Sequence, residues 1–194
     1  MRTILNSRQF LWALLGLPAF VMTLGFLNGN VGAEELLHPS GEFSARFMII
    51  AMMIAPLIAL FGQRGWLQWM LKRRRYFGVA AFAYAVLHTF YYVIDMGNVD
   101  DMLAEALAPG IWTGWAAFFL MLAPAITSND TAMRSLRAGW KRVQQLVYPT
   151  AILTLLHWIW VHNNLGPALA HFIPLAFIVA MRFFKIPKRS TQGA

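Results

Sequence analysis

Five histidines punctuate a strongly apolar chain, and two of them, His88 and His157, lie well inside long apolar runs. His88 stands about 12 residues into its run and His157 about 13 residues past Gln144, which places the rings roughly 18 and 20 Å along two helices of the same direction. The two therefore share one level. An imidazole in hydrocarbon is costly unless partnered, so a histidine at this depth marks a functional site by default. Two such rings on different helices suit a single six-coordinate haem iron, whose opposed axial positions each take a neutral imidazole nitrogen. Histidines that only hydrogen-bond neighbouring helices are the alternative. Back from His88 at helical intervals come Ala85, Ala81 and Gly78. This small-residue stripe leaves space for a flat macrocycle, or else lets two helices approach closely.

Arg46 stands just inside one end of another apolar run, at the level of the two rings. A charge there needs a counter-charge, which a haem propionate or Glu42, one turn away, would supply. His162 and His171 fall near the ends of their runs, as second-rank candidates to cap a propionate or replace an axial ligand. His38 reads as part of a loop.

The elements that must position these groups are six apolar segments, at about 9–27, 44–62, 76–94, 111–127, 145–162 and 168–184. Each offers about 17 to 20 residues, enough to cross ~30 Å of hydrocarbon. Hydrophobic residues make up 59% of the 194 and charged residues 12%, more apolar surface than a soluble domain of this length can hide. The fold class expected is an all-α membrane protein, a single domain over residues 1–194 forming a six-transmembrane-helix bundle. Val31-Gly32-Ala33 resembles a signal-cleavage site, but the apolar core before it exceeds the usual ~7–15 residues, so the first segment is read as a retained helix.

The net charge of +8 is a topology signal. Fifteen of the sixteen Lys and Arg fall on one side: Arg2, Arg8, Arg64, Lys72-Arg73-Arg74-Arg75, Arg134, Arg137, Lys141, Arg142, Arg182, Lys185, Lys188 and Arg189. Both termini are then cytoplasmic by the positive-inside rule, and anionic lipid is the partner of that face. All acidic residues except Asp130 lie opposite, and this segregation argues against nucleic acid. With no cysteine, disulfides, iron–sulfur clusters and covalently attached haem are excluded. The longest outer loops are expected at about 28–43 and 95–110, the second holding a short amphipathic helix from Val99 to Ala108. Pro56, Pro124 and Pro174 lie near helix ends or make kinks, and no soluble nucleotide-binding domain is evident.

Taken in order, His38-Pro39-Ser40-Gly41-Glu42-Phe43-Ser44-Ala45-Arg46-Phe47 with Ala55-Pro56-Leu57, then Arg74-Arg75-Tyr76-Phe77-Gly78 leading to Tyr84-Ala85-Val86-Leu87-His88, then Thr127-Ser128-Asn129-Asp130 before Trp140-Lys141-Arg142, carry a resemblance. Over about residues 38 to 160 the chain resembles the ferric-reductase-like transmembrane family. Within it, the MsrQ (YedZ) branch of haem-binding membrane subunits of bacterial periplasmic methionine sulfoxide reductases is nearest. The resemblance implies a six-helix haem b electron carrier of the bacterial inner membrane. It would be fed by quinol or by a cytoplasmic flavin reductase, with FMN a further cofactor by family analogy, and would serve a molybdopterin enzyme outside. On that pattern His88 and His157 match haem-ligand positions. Where the branch has a histidine after Trp140-x-x-Val143, this chain has Gln144. Glutamine is not a usual axial ligand, so one haem is expected rather than two, and a relative serving another partner is the corresponding expectation.

The leading reading is thus a haem b electron-transfer subunit, itself not a catalytic enzyme, with Arg46 steadying a propionate. A haem-free subunit that anchors a larger complex is the second. A transporter is disfavoured, since only the helix-terminal Asp95 offers an intramembrane carboxylate.

Overall fold

The computed structural model describes residues 7–184, so Arg2, Lys185, Lys188 and Arg189 lie outside the described residues. Regular structure there is entirely helical: α1 (Arg8–Leu27), α2 (Ala33–Phe61), α3 (Gly65–Met96), α4 (Val99–Glu105), α5 (Pro109–Ile126), α6 (Asp130–Leu136), α7 (Ala138–Gln144), α8 (Val147–His162) and α9 (Leu165–Phe184). Helices α1, α2, α3, α5 and α9 are long and apolar enough to cross a membrane. At 16 residues α8 is shorter, about 24 Å. Backbone hydrogen bonds such as Leu146 N to Val143 O at 3.1 Å carry it back toward α7.

Side chains that a soluble fold would hide face outward here: Leu14, Leu17 and Phe20 of α1 are each more than half exposed. Internal packing is organised as two antiparallel pairs, α2 along α3 and α5 along α8, with α9 laid over α2 and α1 leaning on α3. The main core joins Met48 and Met52 of α2 to Ala81 of α3, Met121 of α5, Trp158 of α8 and Phe172 of α9. A smaller core seats Leu11 and Leu15 of α1 against Ile54 of α2 and Phe77 of α3.

Two helices extend well past their apolar cores. The first outer loop, expected over residues 28–43, is largely helical, because α2 begins at Ala33. Gly32 N donates to Glu35 Oε1 at 3.4 Å, and Glu34 and Glu35 occupy the first turn, where carboxylates complement the helix dipole. His38 therefore belongs to a helix and not to a loop. At the other end α3 begins at Gly65, so the basic run from Lys72 to Arg75 is helical too. Its arginines find partners around the helix: Arg74 Nε donates to Ala51 O on α2 at 2.8 Å, and the Arg73 guanidinium lies 4.3 Å from the Trp69 ring centre. Stems that long keep a charge near water while the backbone stays helical. The short helix expected from Val99 is present as α4.

Pro18 deprives α1 of one backbone donor, and Tyr84 of α3 meets the helix at this point. Its hydroxyl accepts from Ala19 N at 2.8 Å and donates to Leu15 O at 2.9 Å. Both groups of one helical rung are thus held by a side chain from another helix. Tyr84 is 3% exposed.

Arg75 also reaches Asp130, at the start of α6, with Nη1 to Oδ1 at 2.7 Å. That hydrogen bond and the guanidinium charge hold the Asp130 carboxyl below the usual carboxylate range. A depressed carboxyl contributes stability above its unfolded pKa of about 4, lost as pH falls through the lower folded value. Acid titration of thermal unfolding in detergent is expected to show a steeper loss below about pH 4 in the native chain than in Asp130→Asn. The difference should be small, because the pair is solvent-exposed.

Candidate functional site

The site grows from two helical notches. On α2, Gly41 offers no side chain toward α3, and the His88 ring occupies that space: a Cβ at Gly41 would stand 3.2 Å from His88 Nδ1. The same Nδ1 lies 2.9 Å from Leu37 O, one turn before the glycine. On α5, Gly114 opens toward α8, where a Cβ would stand only 2.7 Å from His157 Nδ1. That nitrogen lies 2.7 Å from Gly110 O, again one turn before the glycine. A carbonyl only accepts, so Nδ1 carries the proton in both rings, and Nε2 of each neutral imidazole keeps its lone pair.

The two rings come together between the helix pairs, with centroids 6.0 Å apart and planes at 83°. Each lines a cleft of about 910 Å³, counted out to its open side, together with Ala85, Trp115, Phe118, Met121 and Trp158. A metal–nitrogen bond of about 2 Å on each side puts two opposed imidazole centroids roughly 6 Å apart, and the donor set of two neutral imidazoles is the one haem iron takes. The residues present therefore fit such a group. Of the small-residue stripe, Ala85 lines the cleft. Ala81 instead serves close helix packing: it is fully buried, and its carbonyl accepts from Ser44 Oγ at 2.8 Å. Gly78 faces open space.

The other sequence-selected residues gather at one end of the cleft. His38 Nδ1 and His162 Nε2 are 3.2 Å apart, and both rings belong to residues that line the cleft. Arg46 ion-pairs with Glu42 at 2.5 Å, and its Nε donates to His171 Nε2 at 3.2 Å. Glu42, one turn away, is thus within reach of Arg46. Trp158 lies between these two groups, edge-on to His38 at 5.9 Å and tilted against His171 at 5.0 Å.

At the opposite end, Gln144 holds the end of α5. Its Nε2 donates to Pro124 O at 3.0 Å and Thr127 Oγ1 at 3.2 Å, beside Trp140 Nε1 on Thr127 O at 2.9 Å. The last carbonyls of a helix lack internal partners, and this amide supplies one. Sequence reasoning passed over Gly41, Gly114 and the two carbonyls, since their partners lie on other helices. The available signal was a hydroxyl residue followed by glycine, Ser40-Gly41 just before one apolar run and Thr113-Gly114 inside another.

A helical bundle with a pair of apposed histidines at the centre of an aromatic cleft defines the class. Residues 40–155 match the family described as ferric reductase like transmembrane component, and the chain belongs to that family. Among curated relatives, one from Xanthomonas oryzae pv. oryzae (strain MAFF 311018) is 36% identical over 129 residues, 65% of this chain and 57% of its own length. One from Azospira oryzae is 34% identical over 157 residues, 77% of this chain and 66% of its own. One from Herminiimonas arsenicoxydans is 30% identical and covers 99% of this chain and 90% of its own length. All three bear the name protein-methionine-sulfoxide reductase heme-binding subunit MsrQ. The chain thus matches little more than half of the first of these, and nearly all of the last. No solved structure matches it.

Gln144→Ala is expected to lower the thermal midpoint in detergent by an amount equivalent to about 0.5–1.5 kcal/mol, the usual net contribution of one hydrogen bond, because Ser128 Oγ still donates to Pro124 O at 2.7 Å.

Proposed function

We propose that the chain is a membrane electron-transfer subunit that holds one haem b between His88 and His157 as axial ligands. The observation that carries this reading is the ring pair itself. Two neutral imidazoles from separate helix pairs stand 6.0 Å apart, each with Nδ1 engaged on a backbone carbonyl and Nε2 left to bind. Haem b supplies a one-electron couple. The protein's part is to fix both rings, to exclude water with Trp115, Phe118 and Trp158 around the cleft, and to hold a cation, Arg46, near its mouth for the propionates.

The same reading includes a six-crossing bundle in the bacterial inner membrane with both termini cytoplasmic. The basic groups of Arg64, Arg75, Arg134 and Arg142 sit at one end of the helices, while Glu34, Glu35 and Asp100 begin helices at the other. This segregation supports the topology. On that topology the histidine pair would lie nearer the periplasmic side. Electrons then enter from quinol or a flavin reductase, whose FMN phosphate would find basic residues at the cytoplasmic end, and leave to a periplasmic or membrane-associated redox partner. The MsrQ relatives support a partner of the methionine sulfoxide reductase kind. Gln144, occupied in closing α5, supports a single haem.

Purified protein expressed with haem supplied is expected to give a reducible b-type pyridine haemochrome at one haem per chain. His88→Ala and His157→Ala should each abolish the low-spin bis-imidazole spectrum, whereas His38→Ala should retain it. Absence of a b-type spectrum in the native chain would leave an anchoring subunit in its place.

A further inference from the structure

The two notches are copies of one another, although the helices that carry them share no evident sequence repeat. In the first, Ser40 Oγ donates to Leu36 O at 2.6 Å and to Leu37 O at 3.0 Å. In the second, Thr113 Oγ1 donates to Pro109 O at 2.6 Å and to Gly110 O at 3.0 Å. Both hydroxyl residues are 0% exposed. In each copy the carbonyl that accepts the histidine Nδ1–H is therefore also claimed by a hydroxyl three residues on, and the glycine one further uncovers it. Carbonyl, hydroxyl and glycine stand at positions i, i+3 and i+4 on α2 and again on α5, facing His88 and His157.

A serine or threonine bonding back along its own helix is common, and alone it would signify nothing. Here the accepting oxygen is shared with an imidazole, and this occurs twice with the same hydroxyl-to-carbonyl distances. The ring nitrogens stand 2.9 and 2.7 Å from their carbonyls, and Ser40 Oγ is also 3.4 Å from His88 Nδ1. A carbonyl with two donors draws less on each. With the hydroxyl removed, the Nδ1–H bond strengthens and the ring becomes a more electron-rich ligand, which favours the oxidised metal. The glycines act differently: their missing Cβ atoms determine how near each ring approaches, and the tolerance is smaller at Gly114 than at Gly41.

We propose that a duplicated hydroxyl–glycine notch seats both axial histidines, with Ser40 and Thr113 as positioning residues that raise the reduction potential by sharing the carbonyl each imidazole uses. This rests on the assignment of His88 and His157 as haem ligands. It adds four residues, Ser40, Gly41, Thr113 and Gly114, and a function for each.

The test uses the full haem-loaded chain in detergent, read by redox titration and by electron paramagnetic resonance of the oxidised form. Ser40→Ala and Thr113→Ala should each keep one haem per chain and a low-spin spectrum while moving the midpoint potential negative. The double variant should move it by the sum, because the two hydroxyls act on separate ligands. Thr113→Ser should restore the native potential. Gly41→Ala should alter the low-spin g-values with haem retained, and Gly114→Ala should lose the low-spin signal. An unchanged potential in both hydroxyl variants, or unchanged g-values in Gly41→Ala, overturns the proposal. If Gly114→Ala yields no monodisperse protein, the other variants still decide it. Failure of the ligand assignment looks different: His88→Ala and His157→Ala would then keep the low-spin spectrum, whatever the notch variants do.

Discussion

An imidazole N–H inside a membrane bundle has to find an acceptor that is not water, and nearly every backbone carbonyl there is already claimed by its own helix. The arrangement of this protein follows from that constraint. Carbonyl oxygens keep a second lone pair, but side chains one turn on normally cover them. Glycine removes the cover. His88 reaches Leu37 O past Gly41, and His157 reaches Gly110 O past Gly114. Each contact ties one helix to its antiparallel neighbour, which is why the molecule is built from the pairs α2/α3 and α5/α8. The cleft lies where the two pairs face each other.

The two ends of the cleft differ in chemistry as well as in charge. At one end Glu42, Arg46 and His171 form a connected polar group beside the His38–His162 contact, with Trp158 packed between the two sets. At the other, Arg75 meets Asp130 and Gln144 closes α5. The first group borders the open cleft through Glu42, His38 and His162. The second joins helix ends. The Gln144 amide is engaged with Pro124 O and Thr127 Oγ1, a structural use of this position.

Much of this was legible in the residue order. Apolar runs located the long helices because lipid imposes one length and one polarity on them, and depth alone singled out His88 and His157. What stayed hidden were relations between helices. Helix ends were misplaced at Ala33 and Gly65 because polar residues in amphipathic end turns look like loop to a hydropathy count, although the Glu35 cap and the arginine partners keep those turns helical. Ala81 and Ala85 stand one turn apart in a single stripe, yet one packs against Ser44 and the other borders the cleft. Spacing on one helix cannot separate such roles. The contribution of Gly41 and Gly114 is likewise invisible without the ring that fills the vacant Cβ position.

The Tyr84 hydroxyl, held between Ala19 N and Leu15 O, has a consequence in time as well as in space. Its partners precede it in the chain by 65 and 69 residues. At bacterial synthesis rates of about 5–20 residues per second, α1 exists for roughly three to thirteen seconds before that tyrosine is made. During this interval the rung beside Pro18 lacks its outside support. The seating of the first helix is therefore complete only once α3 has been made, by a side chain one turn from His88.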